Sequence, residues 1–388
     1  MQKIIQVHPI SEHIVSNPMR RSLVMAAVLS GVAVSSAWAA EPIVIGRSLA
    51  LTGPLKPYGE AKRDGGDAYI EQVNKAGGIR GRPIKLVTLD DEYQADKIVV
   101  NLKKLATSEK PIAFLGLFGV PTVAAALPVL LELKIPAVGL TSGAAAVRTP
   151  HNEFSFPVIV SYAEEANKIA SHINIFNDTA TTEIYTDNAF GESVKNNLID
   201  AAKKNALNAV LYKLEPAGKD FASVVANVIA DKPQAVVLAM LSQPAIPVIR
   251  ELKRADSSAF MYAFSPVDTT VIIKELGLQA AGLSISQVMP IPTSTNYLLT
   301  AEYATAMKAL GRGSPSFYGL EAFLEAKVLV EGLRRADSAL SSAGLVKALE
   351  TMQDWNGGGL YVTYKPGQHS GTNFLEIDHI DANGVLRR

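Results

Sequence analysis

The sequence predicts an α/β protein with two lobes, each built on a parallel sheet flanked by helices. From residue 42 onward, short apolar strands alternate with amphipathic helices, which is the pattern of parallel sheets covered by helices. The alternation pauses near residues 154–160 and then resumes as a second series of similar length. The chain has 388 residues, 48% hydrophobic and 19% charged, which is enough for roughly two domains.

Residues 19–39 contain the three parts of a secretory signal. These are a basic start (Arg20 and Arg21), an apolar stretch (residues 23–34) and a small-x-small end (Ala37-Trp38-Ala39). We therefore predict that residues 1–39 form a cleaved signal peptide, that translation begins at Met19, and that the mature chain starts near Glu41. The apolar stretch is too short to span a membrane, so we expect a soluble protein in the periplasm.

Composition excludes several classes of function. Lys plus Arg and Asp plus Glu both number 37, so no basic field is available to hold nucleic acid. The chain has no cysteine, which removes disulfides, thiolate metal sites and lipid attachment at an N-terminal cysteine. The histidines beyond residue 39 lack the spacing of a zinc site; they are His151, His172, His369 and His379. We expect no cofactor.

The first series begins with a strand at residues 43–45 and a loop at residues 51–59 that is rich in turn residues. A helix follows from about Glu60 and ends at the Gly77-Gly78 C-cap. The next strand covers residues 84–89, and an amphipathic helix covers residues 97–108.

Two apolar strands in residues 112–148 then run straight into turns that carry hydroxyl groups. The strands are residues 112–117 and 137–140, and the turns are Gly119-Val120-Pro121-Thr122 and Thr141-Ser142-Gly143. We predict that each turn opens a helix, at residues 123–133 and from near Ala144. Free helix N–H groups at the carboxyl ends of parallel strands favour an anion, so the turns predict a carboxylate cradle. In the alternative interpretation, Thr122 and Thr141 are ordinary N-caps.

A strand at residues 154–160 leaves the first series, and the second series repeats its pattern. Its predicted helices are residues 163–175, 191–205, 220–231 and 247–255, and its strands are residues 183–185, 209–214, 235–240, 260–263 and 283–288. Helices at residues 297–310, 317–336 and 342–352 follow. The tail predicts a hairpin from residues 360–364, residues 372–380 and the turn at residues 381–384.

Four motifs give the chain a family resemblance. They are Leu51-Thr52-Gly53-Pro54 with Tyr58-Gly59, the run AGGIRGRPI at residues 76–84 followed by Asp90-Asp91, Ile135-Pro136 before the second hydroxyl turn, and Asp187-Asn188-Ala189-Phe190-Gly191. With these motifs in order, residues 42–388 resemble the leucine/isoleucine/valine-binding protein family, the type I periplasmic binding proteins that feed ABC importers.

The resemblance implies two Rossmann-like lobes joined by three hinge crossovers, with the ligand held between the lobes. Lobe 1 would comprise residues 41–159 and 289–358, and lobe 2 residues 160–288 and 359–388. The crossovers would fall near residues 157–161, 287–291 and 358–361. The implied function is capture of a small carboxylate, an amino acid or an aromatic or aliphatic acid, for ABC permease subunits in the inner membrane. We expect a monomer.

The resemblance also implies the ligand-binding residues. They are Tyr58, Val120, Thr122, Thr141, Ser142, Gly143, Tyr162, Phe190, Gln243 and Gln287. Family members that bind amino acids pair the ligand's ammonium group with an acidic residue in the turn corresponding to Ser265-Pro266-Val267-Asp268, but Pro266 or Val267 occupies that position here. Asp268 or Asp187 could substitute. Because an unpaired buried ammonium is costly, we predict a ligand whose amine is absent or met differently.

Other functions stay open at this stage. Asp90-Asp91-Glu92 could supply oxygen ligands to a metal, but it matches a family loop that holds none, so we expect no metal. A periplasmic sensor that presents the same cleft to a membrane receptor is an alternative to transport. A secreted α/β enzyme is a further alternative because fold does not fix function, although the sequence has no nucleophile elbow, Walker loop or dinucleotide motif.

Overall fold

The protein is described by a computed structural model over residues 41–176, 180–216 and 219–388. The predicted signal peptide and the start at Met19 lie outside these residues. None of the helices in the described ranges has the length and apolar character that a membrane span requires.

The first lobe is built on a parallel sheet. Its strands are β1 (Ile43–Leu49), β2 (Ile84–Asp90), β3 (Ala113–Phe118), β4 (Ala137–Thr141) and β5 (Ser155–Phe156), in the order β2-β1-β3-β4-β5. Helices α1 (Lys56–Lys75), α2 (Ala95–Ser108) and α3 (Val120–Leu133) connect the first four strands. The strands are almost entirely buried at the centre of the sheet, as expected for a sheet covered on both faces.

The second lobe repeats the same strand order. Its parallel strands are β6 (Ala180–Thr186), β7 (Asn208–Leu214), β8 (Ala235–Ala239), β9 (Phe260–Ala263) and β10 (Leu283–Gln287), in the order β7-β6-β8-β9-β10. Its helices are α4 (Tyr162–Ile175), α5 (Ala189–Lys204), α6 (Phe221–Ala230), α7 (Ser242–Arg254) and α8 (Thr269–Leu276). In both lobes the order reverses beside the first strand, and ligands bind in the crevice at such a reversal.

The C-terminal segment contributes to both lobes. It contains α9 (Leu298–Leu310), α10 (Phe317–Arg335), α11 (Ser342–Leu349), and a small antiparallel sheet of β11 (Trp355–Asn356), β12 (Tyr361–Lys365) and β13 (Gln368–Thr372). Val362 and Tyr364 of β12 pack in the apolar core of the first lobe. After β13 the chain joins the second sheet, where β14 (Glu376–Ile380) runs antiparallel to β10 and is followed by β15 (Leu386–Arg387).

The predicted fold class is confirmed, while several elements differ from their predicted bounds. Helix α3 begins at Val120 rather than residue 123, because a proline in the first helical turn lacks only an N–H that the helix does not use. Helix α7 begins at Ser242 and contains Pro247, which the sequence placed at its start. The sequence did not predict α8, whose N-cap is Asp268.

The region after β4 corrects the predicted second helix. Instead of a helix from Ala144, the chain forms a single 3-10 turn, Ala145–Val147, and then passes through Pro150 to β5. β5 itself covers two residues rather than seven, since Pro157 has no N–H to continue the ladder. The tail likewise forms two hairpins, β12–β13 and β14–β15, where one was predicted.

Helix α10 crosses α1 at close range. A Cβ atom added at Gly65 of α1 would lie 2.0 Å from the carbonyl oxygen of Gly319 on α10, so glycine permits the two backbones to touch. This crossing brings the inner face of α10 against Lys62, where the first lobe meets the cleft.

Candidate functional site

A cavity lies where the carboxyl ends of the two parallel sheets face each other. Its empty volume is about 570 Å³, including solvent at its mouth. The first lobe contributes Tyr93, Phe118, Gly119, Val120, Thr141, Phe317, Tyr318 and Glu321. The second lobe and the crossovers contribute Ile159, Tyr162, Phe190, Leu241, Ser265, Pro266, Gln287, Val288 and Met289. The wall is therefore shared by both lobes and is largely apolar.

Aromatic residues make up half of the first lobe's lining. Phe118, at the end of β3, lies 5.7 Å from the Tyr93 ring and 5.7 Å from the Tyr318 ring. Tyr93 is placed by the preceding loop, in which Asp91 accepts a hydrogen bond from the Tyr93 N–H (2.9 Å) and another from the Ser48 hydroxyl (2.8 Å). The acidic motif at residues 90–92 thus fastens the loop that carries Tyr93.

Two aromatic residues cover the cavity from the second lobe, and each is placed by a helix cap. Ser161 caps α4 in a reciprocal capping box with Glu164, so that Tyr162 becomes the first helical residue. Asn188 caps α5 by accepting a hydrogen bond from the Gly191 N–H (3.0 Å), which turns Phe190 toward the cleft. The Tyr162 and Phe190 rings meet edge to face at 5.3 Å.

A buried charge network lies behind the Thr141 side of the cavity. Lys62 Nζ lies 2.9 Å from Glu325 Oε2 and 3.6 Å from Glu321 Oε1, and it also contacts the Thr141 hydroxyl. Thr141 in turn donates to Glu321 Oε1 at 2.5 Å. Burial raises the pKa of Glu325 to about 7, although the Lys62 charge opposes the shift. Within this network, Glu321 is the acidic side chain that reaches the cavity.

The structure brings half of the sequence-predicted residues to the cavity wall. These are Val120, Thr141, Tyr162, Phe190 and Gln287. The others lie outside the lining, namely Tyr58, Thr122, Ser142, Gly143 and Gln243. Their participation in ligand binding stays a prediction.

The predicted hydroxyl turns are engaged with the protein itself. The fully buried Thr122 hydroxyl donates to the Phe118 carbonyl oxygen within the first turn of α3. Ser142 Oγ accepts a long hydrogen bond from the Ala144 N–H (3.3 Å), and Gly143 lies under the ring of Tyr162. Because no helix follows Ser142, this turn lacks the macrodipole that the sequence analysis expected there.

Tyr58 and Gln243 occupy different surroundings. The Tyr58 hydroxyl donates to Ser242 Oγ across the cleft at 2.9 Å, and its ring stacks on Phe118. Burial raises the pKa of Tyr58 to about 12, so the phenol keeps its proton at neutral pH. Gln243 is exposed on the first turn of α7, beside Ser242.

Neither aspartate suggested as an ammonium partner lines the cavity. Asp268 caps α8 by accepting from the Thr270 N–H at 2.8 Å. Asp187 is half-exposed and pairs with Lys213 at 3.0 Å.

The cavity holds polar groups that a ligand can use. Gln287 is 2% exposed, and its Nε2 donor has no hydrogen-bond partner. Burial raises the pKa of Tyr93 to about 12 and raises that of Tyr162 well above its usual value, so both phenols remain donors at neutral pH. Ser265 is held in place by Glu165, whose carboxylate accepts from the Ser265 N–H and hydroxyl, both at 3.0 Å.

Sequence reasoning missed several lining residues, and three of them lie on α10. Phe317, Tyr318 and Glu321 lie in the helix that was predicted at residues 317–336 without any site residue. Glu321 and Glu325 are four residues apart in that apolar helix, and this spacing is a signal that two carboxyls share one face. Among the described residues, no group of three or more His, Asp or Glu side chains is arranged to hold a metal ion.

Comparison with known proteins decides the family. The profile of the periplasmic binding protein family matches residues 42–382. The chain belongs to this family. The match confirms the predicted family resemblance, and it implies a periplasmic location.

Individual relatives agree with that assignment. A solved substrate-binding periplasmic protein from Ralstonia solanacearum is 28% identical with a TM-score of 0.83, covering 89% of this chain and 99% of that protein. The Leu/Ile/Val-binding protein homolog 3 of Brucella melitensis is 24% identical over 79% of this chain and 83% of its own length. The chemotactic signal transduction system substrate-binding protein BasB of Halobacterium salinarum is 27% identical over 72% of each chain. This family member is therefore similar to proteins named for binding substrates.

Proposed function

We propose that this protein captures a small carboxylate ligand with an apolar body between its lobes and delivers it to an ABC importer. One observation carries the proposal. The cavity is walled by both lobes and by the crossovers, and it contains the partnerless Nε2 donor of Gln287. A buried donor without a partner costs about 1–3 kcal/mol, which a ligand oxygen at that position would recover.

The lining favours a ligand that is partly apolar and carries an acceptor at one end. Phe118, Phe190 and Tyr318 offer flat apolar surfaces that suit an aromatic ring or a branched aliphatic chain. The phenols of Tyr93 and Tyr162, together with Gln287, supply donors for a carboxylate. Ligand-binding roles for Val120 and Thr141 are part of the same proposal.

The acidic side chain in the cavity wall bears on whether the ligand carries an amine. Glu321 is the acidic residue among the described residues that line the cavity, and it lies on α10 rather than in the turn after β9. A ligand ammonium would therefore be placed beside Glu321, whereas a plain acid would leave that carboxylate with Lys62 and Thr141. The same cavity therefore also suits a ligand whose amine pairs with Glu321 rather than with an acidic residue in the turn after β9.

The mechanism is a shift of population between open and closed lobes. A ligand that touches both walls binds the closed arrangement better than the open one, so binding favours closure. An affinity in the micromolar range corresponds to about −8 kcal/mol, which a few charge-assisted hydrogen bonds and burial of a small apolar group can supply. The closed form then docks on the permease.

The proposed location is the periplasm, reached through a cleaved signal peptide and without a lipid anchor. The support is the signal pattern at residues 19–39 and the absence of cysteine from the sequence. N-terminal sequencing of protein recovered from a periplasmic extract should begin near Glu41. A start within residues 1–39 in the mature protein would contradict this.

A sensor that presents the closed lobes to a membrane receptor is a second candidate. The relative BasB is named for a chemotactic signal transduction system, which supports this reading. Neighbouring genes for permease and ATPase subunits would favour transport, and a neighbouring receptor gene would favour sensing.

The test is a thermal-shift screen over amino acids, aliphatic acids and aromatic acids, because a ligand that binds only the folded state raises its melting temperature. Hits are then titrated by calorimetry into wild type, Gln287→Leu and Gln353→Leu. We expect roughly tenfold weaker binding in Gln287→Leu and unchanged binding in the matched control, whose exposed side chain lies outside the cavity. Equal affinity of wild type and Gln287→Leu would contradict the proposed site.

A further inference from the structure

A second cavity lies beside the first crossover, away from the interlobe cavity. Its empty volume is about 690 Å³, including solvent at its mouth. The lining is mostly polar and consists of Val147, Arg148, Thr149, His151, Ser155, Glu164, Gly367, Gln368, His369 and Ser370. None of these residues lines the interlobe cavity. The wall combines the segment after β4, the start of α4 and the turn between β12 and β13.

Arg148 is the cationic group of this cavity, and half of its guanidinium is unused. Nη2 donates to the carbonyl oxygen of Ile159 in the crossover. Nη1 is buried and has no hydrogen-bond partner. Removing a charged donor from water without giving it an acceptor is unfavourable, so an oxygen that reached Nη1 would stabilise it.

Two of the other ionisable groups of the cavity, Glu164 and His369, are already hydrogen-bonded within the protein. Glu164 Oε2 accepts hydrogen bonds from the Ser161 N–H at 2.7 Å and from its hydroxyl at 2.6 Å. His369 Nδ1 lies 2.8 Å from the Ser155 carbonyl oxygen, and its Nε2 lies 3.3 Å from Glu350. The ring of His151 packs edge to face on His369 at 4.7 Å. Arg148 Nη1 is, among the described residues of this wall, the buried donor that has no acceptor.

The rim of the cavity adds neutral donors. Thr149, Gln368 and Ser370 are exposed residues of its wall, and their hydroxyl and amide groups suit the remaining oxygens of a small anion. Arginine binds oxyanions well because its planar donors match carboxylate and phosphate oxygens. An arginine donor without an acceptor, polar walls and room for a small molecule occur here together, and the Glu164 carboxylate of the same wall favours the charged form of Arg148.

We propose that this cavity binds a small oxyanion, a carboxylate or a phosphate, through Arg148 Nη1. The site is separate from the interlobe site and does not depend on the function proposed for it. Arg148 also donates a hydrogen bond to the Ile159 carbonyl oxygen in the first crossover. The bound anion would therefore contact a side chain that is hydrogen-bonded to this crossover.

The experiment is a calorimetric titration of inorganic phosphate, and separately of acetate, into the full protein without cleft ligand. Two variants change the site differently: Arg148→Gln removes the cation, and Gln368→Glu adds a negative charge at the rim without removing the cation. Arg254→Gln is the matched control, since Arg254 is exposed on α7 and loses the same charge. The comparison of the two probes distinguishes a phosphate site from a carboxylate site.

We expect saturable binding of at least one probe, weakened roughly tenfold in Arg148→Gln and in Gln368→Glu but unchanged in Arg254→Gln. If Arg148→Gln does not fold, as circular dichroism would show, Gln368→Glu decides alone. Absence of binding in wild type, meaning that water alone fills the cavity, would overturn the proposal. Equal weakening in Arg254→Gln would also overturn it, because the effect would then follow net charge rather than the site.

Discussion

The hydrogen bond between Tyr58 and Ser242 links the lobes directly, and its removal should loosen the closed arrangement. Tyr58→Phe deletes the hydroxyl that donates to Ser242 Oγ at 2.9 Å. The ring remains, so its contacts with Phe118 at 5.8 Å and Tyr318 at 4.9 Å are preserved and folding should be unaffected. Ser242 Oγ still accepts from the Asp268 N–H at 2.8 Å and is not left without a partner.

The size of the effect follows from that geometry. A buried neutral hydrogen bond contributes about 0.5–1.5 kcal/mol net, and this bond exists only when the lobes are in contact. Its loss should shift the open–closed equilibrium by about 1 kcal/mol toward the open form. If the ligand binds the closed form, its affinity should therefore fall by at most about fivefold, and by less the more the ligand-free protein is already closed.

Two measurements check the expectation. Calorimetry gives the affinity of whichever ligand the screen identifies, and small-angle X-ray scattering of the ligand-free protein gives the radius of gyration, which should increase. Tyr212→Phe is the control, because the Tyr212 hydroxyl donates to Asp231 at 2.6 Å within the second lobe. Unchanged affinity and radius in Tyr58→Phe, or equal losses in both variants, would refute the reasoning.

Three further expectations concern buried carboxyl groups. Burial raises the pKa of Glu183 from 4.5 to about 8, so the folded state keeps a proton that the unfolded state loses, and stability falls as the pH rises from about 4.5 to about 8. In calorimetric unfolding, Glu183→Gln should then raise the unfolding free energy by about 3 kcal/mol at neutral pH and hardly at all near pH 4. An increase in unfolding free energy that does not depend on pH would contradict this. Lys62→Met leaves Glu325 and Glu321 buried without their cation and should lower the unfolding free energy by about 3–5 kcal/mol. Adding Glu325→Gln to this variant should partly restore the unfolding free energy in the same measurement. Glu321→Gln should weaken an amine-bearing ligand by at least about tenfold while sparing its deaminated analogue, and equal losses for the two ligands would argue against an ammonium contact with Glu321.

The fold could be predicted from sequence because its signals are local and periodic. Strands such as β3 and β4 are continuous apolar runs bounded by turns, and the capped helices α4 and α5 begin at recognisable Ser and Asn residues. The same reasoning failed where proline allows two outcomes. Pro121 and Pro247 lie inside helices whose predicted starts were residues 123 and 247. Pro157 ends a strand that was predicted to continue to residue 160.

The site was harder to predict because it depends on contacts between distant segments. The sequence placed hydroxyl groups at the ends of β3 and β4, but it could not show that α10 lies against them and engages Thr141 through Glu321, 180 residues away. Asp268 looked available as an ammonium partner because α8, which it caps, was not predicted. Phe190 and Tyr162, by contrast, were assigned through the family resemblance, and both line the cavity, while their contact with a ligand stays a prediction.

The passage of the chain between the two sheets has a practical consequence for observing closure. The chain leaves the first sheet after β5, returns after β10, and enters the second sheet again at β14. Closure changes the separation of the two lobes, so one distance measured between them would follow it. The sequence has no cysteine, and two introduced thiols, one per lobe, would carry a fluorophore pair without any background labelling.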